Sequence, residues 1–160
     1  MPLEIKLAYD DLDSLKELFA EYVNLLFGLE HNFQEYLDLQ AYDDEIDNLS
    51  EKYGLPSGRL YIAYLDKQVS GCIALRRIDD TTCEMKRLYV RPAFRGHNIG
   101  AALVETIVRD AKESGYQSML LDSLPALKQA IALYERVGFY NIPPYNDSPV
   151  ARTVFMKLDL

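Results

Sequence analysis

Residues 91–103 of this chain read Arg-Pro-Ala-Phe-Arg-Gly-His-Asn-Ile-Gly-Ala-Ala-Leu, and they join a predicted strand to a predicted amphipathic helix. Pro92 ends the strand, and apolar residues recur at helical spacing from Ile99 onward. A loop of small residues between a strand and the first turn of a helix is a typical anion-binding site. The reason is that unpaired backbone N–H groups and the positive end of the helix dipole face the loop. The stretch therefore predicts a phosphate-binding loop.

Two common phosphate-binding loops do not fit these residues. A P-loop ends in Gly-Lys-Ser or Gly-Lys-Thr, whereas Gly100 is followed by Ala101 and Ala102. A dinucleotide-binding loop needs Gly-x-Gly-x-x-Gly, which the stretch lacks. Both classes of nucleotide site are excluded on named residues.

The segment Arg95-Gly96-His97-Asn98-Ile99-Gly100 resembles the pyrophosphate loop of the GNAT superfamily of acetyl-CoA-dependent N-acetyltransferases, which reads Arg/Gln-x-x-Gly-x-Gly/Ala. It matches at Arg95 and Gly100 and departs at Asn98, where Gly is usual. Asn is among the few residues other than Gly that tolerate a positive φ. We therefore expect the loop to keep its conformation.

Three more segments resemble the family in the expected order, so that the resemblance covers the chain from about residue 59 onward. Residues 83–92 look like the family's fourth strand, and residues 117–123 look like its fifth. Residues 130–139 follow its Ala-x-x-Leu-Tyr-Glu-x-x-Gly-Phe pattern. Leu127 departs from the pattern, since Asn is frequent at that position.

Periodicity and turn residues predict the remaining elements. Helical spacing covers 12–27, capped by Asp10 or Asp11, then a broken acidic region over 31–53, and finally 99–113 and 125–137, with Pro125 in the first turn of the last helix. The sparse apolar positions of the acidic region (Phe33, Leu37, Ile46 and Leu49) predict partial exposure. Strands are predicted over 3–8, 59–65, 69–78, 82–90, 117–123, 139–142 and 151–158.

The fold class is therefore α/β (α+β mixed), with a single domain over residues 1–160. We expect a mostly antiparallel central sheet of about seven strands flanked by about four helices. The resemblance implies that the fourth and fifth strands splay apart.

Composition supports one globular domain, since the chain has 160 residues of which 49% are apolar and 26% charged. Cys72 and Cys83 are too few for a disulfide scaffold or a four-cysteine zinc site, so we expect packing thiols and no metal. No apolar run is long enough to span a bilayer, and Glu4 and Lys6 lie where a signal peptide would begin. These features predict a cytoplasmic protein.

The net charge of −8 disfavours nucleic acid and anionic membranes as partners. The charge is uneven, because residues 1–60 carry −10 and residues 61–160 carry +2. Ten acids and no Lys or Arg lie between Lys16 and Lys52. Either they form a solvated acidic face, or they bias an acceptor site toward cationic amines through a field that salt would screen.

The resemblance implies a role for each site residue. Tyr134 matches the tyrosine that protonates the departing thiolate, and Glu84 lies where some relatives carry a carboxylate base that acts through water. Glu84 could instead be a surface carboxylate paired with Lys86 or Arg87. The main chain of the fourth strand would run beside the pantetheine arm, Ser123 would lie at the mouth of the cleft, and the loop would hold the pyrophosphate. The cofactor-binding residues are then Leu88, Tyr89, Val90, Arg95, Gly96, His97, Asn98, Ile99, Gly100, Ala101 and Ser123.

The function implied is transfer of an acetyl group from acetyl-CoA to a primary amine of a small molecule. We expect direct attack by the amine, because no Cys-His or Ser-His motif supplies a protein nucleophile. The alternatives are acetylation of a protein amine, a non-catalytic acyl-CoA sensor and a protein-interaction domain. Tyr140 or Tyr145 could form a wall of the acceptor pocket, His31 could contact the acceptor, and the chain could form a homodimer.

Overall fold

The computed structural model describes residues 2–30, 33–39, 41–150 and 152–160. In chain order, this part of the protein contains β1 (Leu3–Leu7), α1 (Leu12–Phe27), α2 (Phe33–Leu39), α3 (Tyr42–Asp47), α4 (Leu49–Tyr53), β2 (Arg59–Leu65), β3 (Gln68–Arg77), β4 (Thr82–Val90), α5 (Ile99–Glu113), β5 (Ser118–Ser123), α6 (Lys128–Val137), β6 (Tyr140–Asn141) and β7 (Val154–Asp159). A single 3-10 turn, Pro92–Phe94, lies between β4 and α5.

The strands form one seven-stranded sheet in the order β1-β2-β3-β4-β5-β7-β6. Neighbouring strands are antiparallel except β4 and β5, which are parallel. A parallel pair needs a crossover connection, and α5 supplies it. The expected mixed α/β fold with a mostly antiparallel sheet is confirmed.

Local signals set several element boundaries. Asp11 caps α1, because its Oδ1 accepts a hydrogen bond from the Ser14 N–H at 3.4 Å, and Gly28 follows the end of the helix. Between β2 and β3, Asp66 and Lys67 adopt φ angles of 51° and 65°. Two successive left-handed residues match the twist of paired strands, so that the chain reverses in a tight hairpin.

Helices cover both faces of the sheet. On one face α5 and α6 pack against the strands through one apolar cluster, whose members include Leu103, Ile107, Tyr134, Met85 and Met119. On the other face α1 and α4 form a second cluster with β2 and β3, whose members include Leu15, Leu18, Tyr53, Leu60 and Cys72. The sheet thus forms the middle of three layers.

The acidic region is partly exposed, as its sparse apolar positions predict. Glu35, Asp44 and Glu51 are exposed, whereas Phe33, Leu37 and Leu49 are 0%, 5% and 3% exposed. Phe33 and Leu37 of α2 pack against the end of α1, and Leu49 of α4 packs against the sheet. The region forms three short helices, which gives six α-helices in the described residues instead of about four.

The segment around Pro125 also differs from the prediction. Pro125 lies in a turn closed by a hydrogen bond from the Leu127 N–H to the Leu124 carbonyl at 3.0 Å, and α6 begins only at Lys128. The first turn of the helix was therefore placed too early, because a turn uses the fixed φ of Pro as well as a helix does. The strand predicted over 139–142 is reduced to the two residues of β6.

The strands β4 and β5 separate after a short paired segment. Only Thr82, Cys83 and Glu84 pair with β5, opposite Ser118, Met119 and Leu120. Beyond this point β4 continues along β3 to Val90, while β5 continues along β7 to Ser123. The expected splay is confirmed, and it opens a V-shaped gap whose apex lies at Glu84.

A β-bulge lies in β4 where the gap begins. Cys72 of β3 pairs with Tyr89 and Ala74 pairs with Lys86, so two β4 residues, Arg87 and Leu88, lie opposite one residue of β3. Arg87 has a φ of 62°. A bulge changes the direction of its side chain, and here it directs Arg87 toward α3, on the same face as Lys86.

Arg87 forms a buried ion pair with Glu45 of α3. Its Nε lies 3.0 Å from Glu45 Oε2 and its Nη2 lies 2.9 Å from Oε1. Lys52 Nζ lies 2.7 Å from Oε1, and the Arg87 guanidinium lies 5.4 Å from the ring centre of Tyr42. Burial by itself would raise the pKa of Glu45, but Arg87 and Lys52 together lower it to about 2. The pair fastens the acidic helices to the sheet beside the gap.

Replacing Glu45 with Gln should destabilise the fold by about 3–5 kcal/mol at pH 7, because the Arg87 cation would stay buried without its counter-ion. Since the folded-state pKa of Glu45, about 2, lies below its ordinary 4.5, its contribution is complete above pH 4.5 and is lost as the pH falls toward 2. Urea unfolding from pH 7 to pH 2.5 should therefore show the wild type and the variant converging.

Glu51→Gln provides the matched control, since Glu51 is an exposed acid on the neighbouring helix α4. It should change the free energy of unfolding by less than about 0.5 kcal/mol. A difference between the wild type and Glu45→Gln that stays constant from pH 7 to pH 2.5 would contradict the stabilising role of this ion pair.

Candidate active site

The gap between β4 and β5 leads into two adjoining cavities. The smaller has a volume of about 20 Å³ and is lined from α1, β4 and β5, by residues that include Tyr22, Lys86, Arg87, Asp122 and Ser123. The larger is a cleft of about 760 Å³. Its walls are the sheet, the acidic helices α3 and α4, and the loop before β7, which contributes Tyr145 and Asn146. Lys86 lines both cavities and thus lies at their junction.

Glu84 lies at the apex of the gap and is buried, with 2% of its surface exposed. Its Oε1 accepts a hydrogen bond from Arg76 Nε at 2.6 Å, and its Oε2 accepts one from the Tyr145 hydroxyl at 2.6 Å. Lys86 Nζ lies 3.7 Å from Oε1. The alternative of a surface carboxylate is therefore wrong in its exposure, although the pairing with Lys86 is present.

The electrostatics of Glu84 differ from those of a carboxylate in an apolar pocket. Burial would raise the pKa of Glu84, but Lys86, Arg76 and the Tyr145 hydroxyl together lower it below its ordinary value. Burial therefore does not raise the pKa of Glu84, because two cations lie beside it. Glu84 is ionised at neutral pH and is a weak base.

Tyr134 approaches the gap from α6. Its side chain is 6% exposed, and its ring packs edge-on against Phe139 with centroids 5.9 Å apart. Burial raises the pKa of Tyr134 far above its ordinary value, and the neighbouring Tyr22 and Asp122 raise it further. Both of these neighbours line the small cavity. The phenol is fully protonated at neutral pH and lies close to the splayed strands.

The predicted phosphate loop follows the open end of β4. Gly96 has a φ of 88°, and Asn98 has a φ of 59° and a ψ of 25°. The expectation that Asn98 tolerates a positive φ is confirmed. The first helical hydrogen bond runs from the Ala102 N–H to the Asn98 carbonyl at 3.1 Å, so the N–H groups of Ile99, Gly100 and Ala101 precede it.

The loop is open to a ligand. Arg95, Gly96, His97 and Asn98 are exposed. A side-chain carbon added at Gly96 would meet nothing within 4 Å. Arg95 Nε donates to the Val90 carbonyl at 3.2 Å, which folds the loop back over the end of β4. The arrangement forms a shallow cradle at the start of α5 that fits an anionic group.

The edge of β4 that faces the gap is open along residues 85–90, because β5 pairs only with residues 82–84. Leu88 and Val90 pack their side chains toward α5, whereas Tyr89 donates from its hydroxyl to Glu21 of α1 at 3.2 Å. On the opposite wall Ser123 ends β5 and is 6% exposed. An extended ligand can reach main-chain groups on this edge.

Several site residues were not found from the sequence. Tyr22, Lys52, Arg76 and Asp122 reach the cavities from elements far apart in the chain, so no local spacing could connect them. Lys86 differs, because its position could be predicted from the sequence. It lies two residues after Glu84 on the same strand, so both side chains are on one face of the sheet.

The two tyrosines named as candidate walls differ in position. Tyr145 lines the large cleft. Tyr140 instead donates to Asp159 Oδ1 at 3.0 Å on the exposed β6. The other acceptor candidate, His31, lies outside the described residues.

The two cysteines lie in the core and not in the candidate site. Cys72 and Cys83 are buried and unpaired, and burial raises the pKa of each thiol, that of Cys83 to about 12. They are packing residues, as expected. In the described ranges no cluster of three His, Cys, Asp or Glu side chains is arranged to hold a metal ion. None of the helices there is both long and apolar enough to cross a bilayer.

Comparison with known proteins identifies the family. Residues 17–139 match the model of the acetyltransferase (GNAT) family. An uncharacterized N-acetyltransferase of Schizosaccharomyces pombe is 39% identical over 152 residues, which cover 94% of this chain and 89% of the relative. An uncharacterized N-acetyltransferase of Dictyostelium discoideum is 32% identical, with both chains covered completely.

Solved structures show the same fold. An acetyltransferase from Streptococcus agalactiae superposes with a TM-score of 0.75 at 27% identity, covering 99% of this chain and 98% of its own. A GNAT-family acetyltransferase from Staphylococcus aureus superposes with a TM-score of 0.77 at 22% identity and supports the fold alone. With the family model matching most of the sequence, this chain belongs to the GNAT family and is an acetyl-CoA-dependent N-acetyltransferase.

Proposed function

We propose that this enzyme transfers the acetyl group of acetyl-CoA to the primary amine of a small molecule by direct attack. One observation carries the proposal: the gap between β4 and β5 joins a phosphate-type loop at one end to a charged cleft of about 760 Å³ at the other. Acetyl-CoA supplies a thioester whose carbonyl an amine can attack. The acceptor enters from the cleft, since the loop end is suited to anions.

The phosphate loop and the open edge of β4 are proposed to hold the cofactor. The Arg95 guanidinium and the N–H groups of the loop, from Gly96 and His97 through Asn98 and Ile99 to Gly100 and Ala101, bind the pyrophosphate. The main chain of Leu88, Tyr89 and Val90 binds the extended arm as a further strand would. Ser123 borders the same gap from β5. These residues fit the group because the gap is lined by unpaired strand edge on one side and exposed loop amides at its end.

Tyr134 is proposed as the general acid for the departing thiolate. Its burial keeps the phenol protonated at every pH near neutrality, so the proton is always present when the thiolate forms. The raised pKa also makes the phenol a reluctant donor. We therefore assign it a hydrogen bond to the sulfur that becomes a proton transfer as negative charge develops.

Glu84 is proposed to accept the proton of the attacking amine through a water molecule. It is ionised, it lies at the apex of the gap, and it lines the large cleft. Its lowered pKa makes it a weak base. We therefore propose that Glu84 acts after the amine has bonded to the acyl carbon. At that stage the nitrogen is acidic, and a weak base can accept its proton through water.

The acceptor is proposed to be a protonated amine in solution. Asp44 and Glu51 are exposed on the rim of the large cleft, within the acid-rich segment, and nearby negative charge raises the local concentration of cations. The buried Glu45 is already bound by Arg87 and Lys52, so it adds little to this field. Within the acid-rich segment, Glu45 therefore stabilises the fold, whereas Asp44 and Glu51 act on the solvent side of the cleft.

The loop assignment predicts opposite effects of two substitutions at Asn98. Asn98→Gly should keep CoA affinity within about twofold, whereas Asn98→Val should weaken it at least about tenfold, because a β-branched residue resists a φ of 59°. Calorimetric titration with CoA measures both. Normal CoA binding by Asn98→Val would show that the loop does not hold the pyrophosphate.

The function itself is tested by free-thiol release from acetyl-CoA with a panel of primary amines. At least one small amine should give turnover above hydrolysis, and its kcat/KM should fall as ionic strength rises from 20 to 300 mM. CoA binding without turnover on any amine would overturn the proposed reaction. A kcat/KM that ignores salt would overturn only the attraction by the acidic rim.

Removing the proton donor should slow the chemistry without weakening cofactor binding. Tyr134→Phe should lower kcat by about 100-fold, the size typical of losing one acid–base group, with CoA affinity nearly unchanged. Tyr64→Phe is the matched control and should keep the wild-type kcat. Tyr64 lies on β2, far from the gap, where its hydroxyl donates a hydrogen bond to Asp11. Full activity of Tyr134→Phe with every acceptor would remove this residue from the mechanism.

The same assay, run across pH, tests Glu84. Glu84→Gln should lower kcat mainly at low pH, where the bound amine depends most on an acceptor for its proton, and high pH should partly restore the rate. Thermal unfolding and CoA titration confirm that the variant is folded. A rate loss that is the same at every pH would show that Glu84 only supports the fold.

A further inference from the structure

The Lys86 side chain is largely buried at the junction of the two cavities, and Glu84 is its ion-pair partner. The residue is 8% exposed, on the face of β4 that lines the large cleft. Its Nζ lies 3.7 Å from Glu84 Oε1, which is longer than a hydrogen bond. Among the described residues, no acceptor lies within hydrogen-bonding distance of this nitrogen. Because Lys86 lines both cavities, its three N–H donors can bind an acceptor that enters them.

The nearby carboxylates are already engaged by other groups. Glu84 accepts from Arg76 and from Tyr145, one at each oxygen. Glu45 accepts from Arg87 and Lys52. Asp122, on the other side of the gap, accepts from Asn146 Nδ2 at 2.9 Å. The positive charge of Lys86 is therefore incompletely balanced by the protein.

Arg76 adds a second cation to the same wall. It pairs with Glu84 across β3 and β4, and Ala74 pairs with Lys86, so Arg76 and Lys86 project from the same face two residues apart in register. Arg76 uses only its Nε toward Glu84, and its side chain is 34% exposed in the cleft. Two cations with spare N–H donors thus face one cavity.

We propose that the acceptor amine also carries a carboxylate, which Lys86 and Arg76 bind. The proposal rests on the proposed function and names its substrate class, an amino acid or a related amino carboxylate. The exposed Asp44 and Glu51 attract the ammonium end, while the wall cations bind the carboxylate end. Anchoring the carboxylate at the junction of the cavities holds the amine next to the acyl-transfer gap.

The charge of Lys86 should make this binding dependent on pH. Burial, Arg87 and Lys52 lower the pKa of Lys86 to about 8, while Glu84 and Asp122 act in the opposite direction. The titratable and charged groups around it are Glu84, Arg76 and Arg87 on the sheet, Glu45 on α3, Lys52 on α4, Asp122 on β5 and Tyr145 in the loop before β7. Below about pH 8 the ammonium is charged and binds a carboxylate, and above it the affinity falls.

The first experiment compares matched acceptors in the thiol-release assay. L-Alanine, L-methionine and L-phenylalanine are each tested against the corresponding α-carboxamide, which keeps the amine and removes the negative charge. For the best side chain, the carboxylate should have a kcat/KM about 10- to 100-fold higher, the range for a hydrogen bond to a charged group. Equal or better use of the carboxamides would overturn the proposal and leave the proposed function intact.

The second experiment removes the cation. Lys86→Met keeps the length of the side chain and should bring the kcat/KM of the carboxylate down to that of the matching carboxamide measured with the same variant, which cancels any effect on Glu84 common to both acceptors. Lys112→Met, at an exposed position near the end of α5, is the matched control and should keep the preference. A carboxylate preference that survives in Lys86→Met would overturn the assignment to this residue.

A binding measurement separates failure of this inference from failure of the proposed reaction. CoA-saturated protein is titrated with N-acetyl-L-alanine, N-acetyl-L-phenylalanine and their amides at pH 7 and pH 9, which requires no turnover. The acids should bind more tightly than the amides at pH 7, and this advantage should shrink at pH 9, where Lys86 is mostly neutral and Arg76 is still charged. No preference at pH 7 would overturn the carboxylate site even if the enzyme acetylates amines.

Discussion

The buried ion pair between Arg87 and Glu45 is the interaction on which the site depends. Neither charge could be buried alone, since an unpaired ion in a protein interior costs several kcal/mol. Each therefore requires the other, although they lie 42 residues apart in the chain. The pair can form only because the bulge in β4 directs Arg87 toward α3. It holds the short acidic helices beside the gap, where they form one wall of the large cleft.

The gap itself follows from the different partners of two strands. β4 stays paired with β3 to its end, and β5 stays paired with β7, so the two part after three paired residues. Main-chain groups along the gap are left without a neighbouring strand. An unpaired strand edge is costly in water-poor surroundings and is suited to an extended ligand. The same separation lets Lys86 and Ser123 line one cavity, together with Tyr22 and Asp122, which raise the pKa of Tyr134.

The acidic residues of the large cleft fall into two groups, those that are buried and paired with cations and those that are exposed at its rim. Glu45 and Glu84 are buried and bound by cations, and they stabilise the fold and shape the wall of the cleft. Asp44 and Glu51 remain exposed at the rim. The cations of the wall then include Lys86, whose charge is incompletely balanced. A net charge of −8 therefore coexists with a locally positive cleft wall.

The sequence by itself determined the family, the order of elements and the conformation of the phosphate loop. These rest on local rules, namely strand and helix periodicity, the tolerance of Asn98 for a positive φ and the spacing of Arg95 and Gly100. The predicted start of α6 was wrong because Pro125 suits a turn as well as a helix, and no local signal shows that Phe33 packs against the end of α1. Only the tertiary structure decided which charges meet. Lys52, Arg76 and Lys86 come from three elements, and their spacing in space is set by the bulge, the strand register and helix packing, none of which a local pattern encodes.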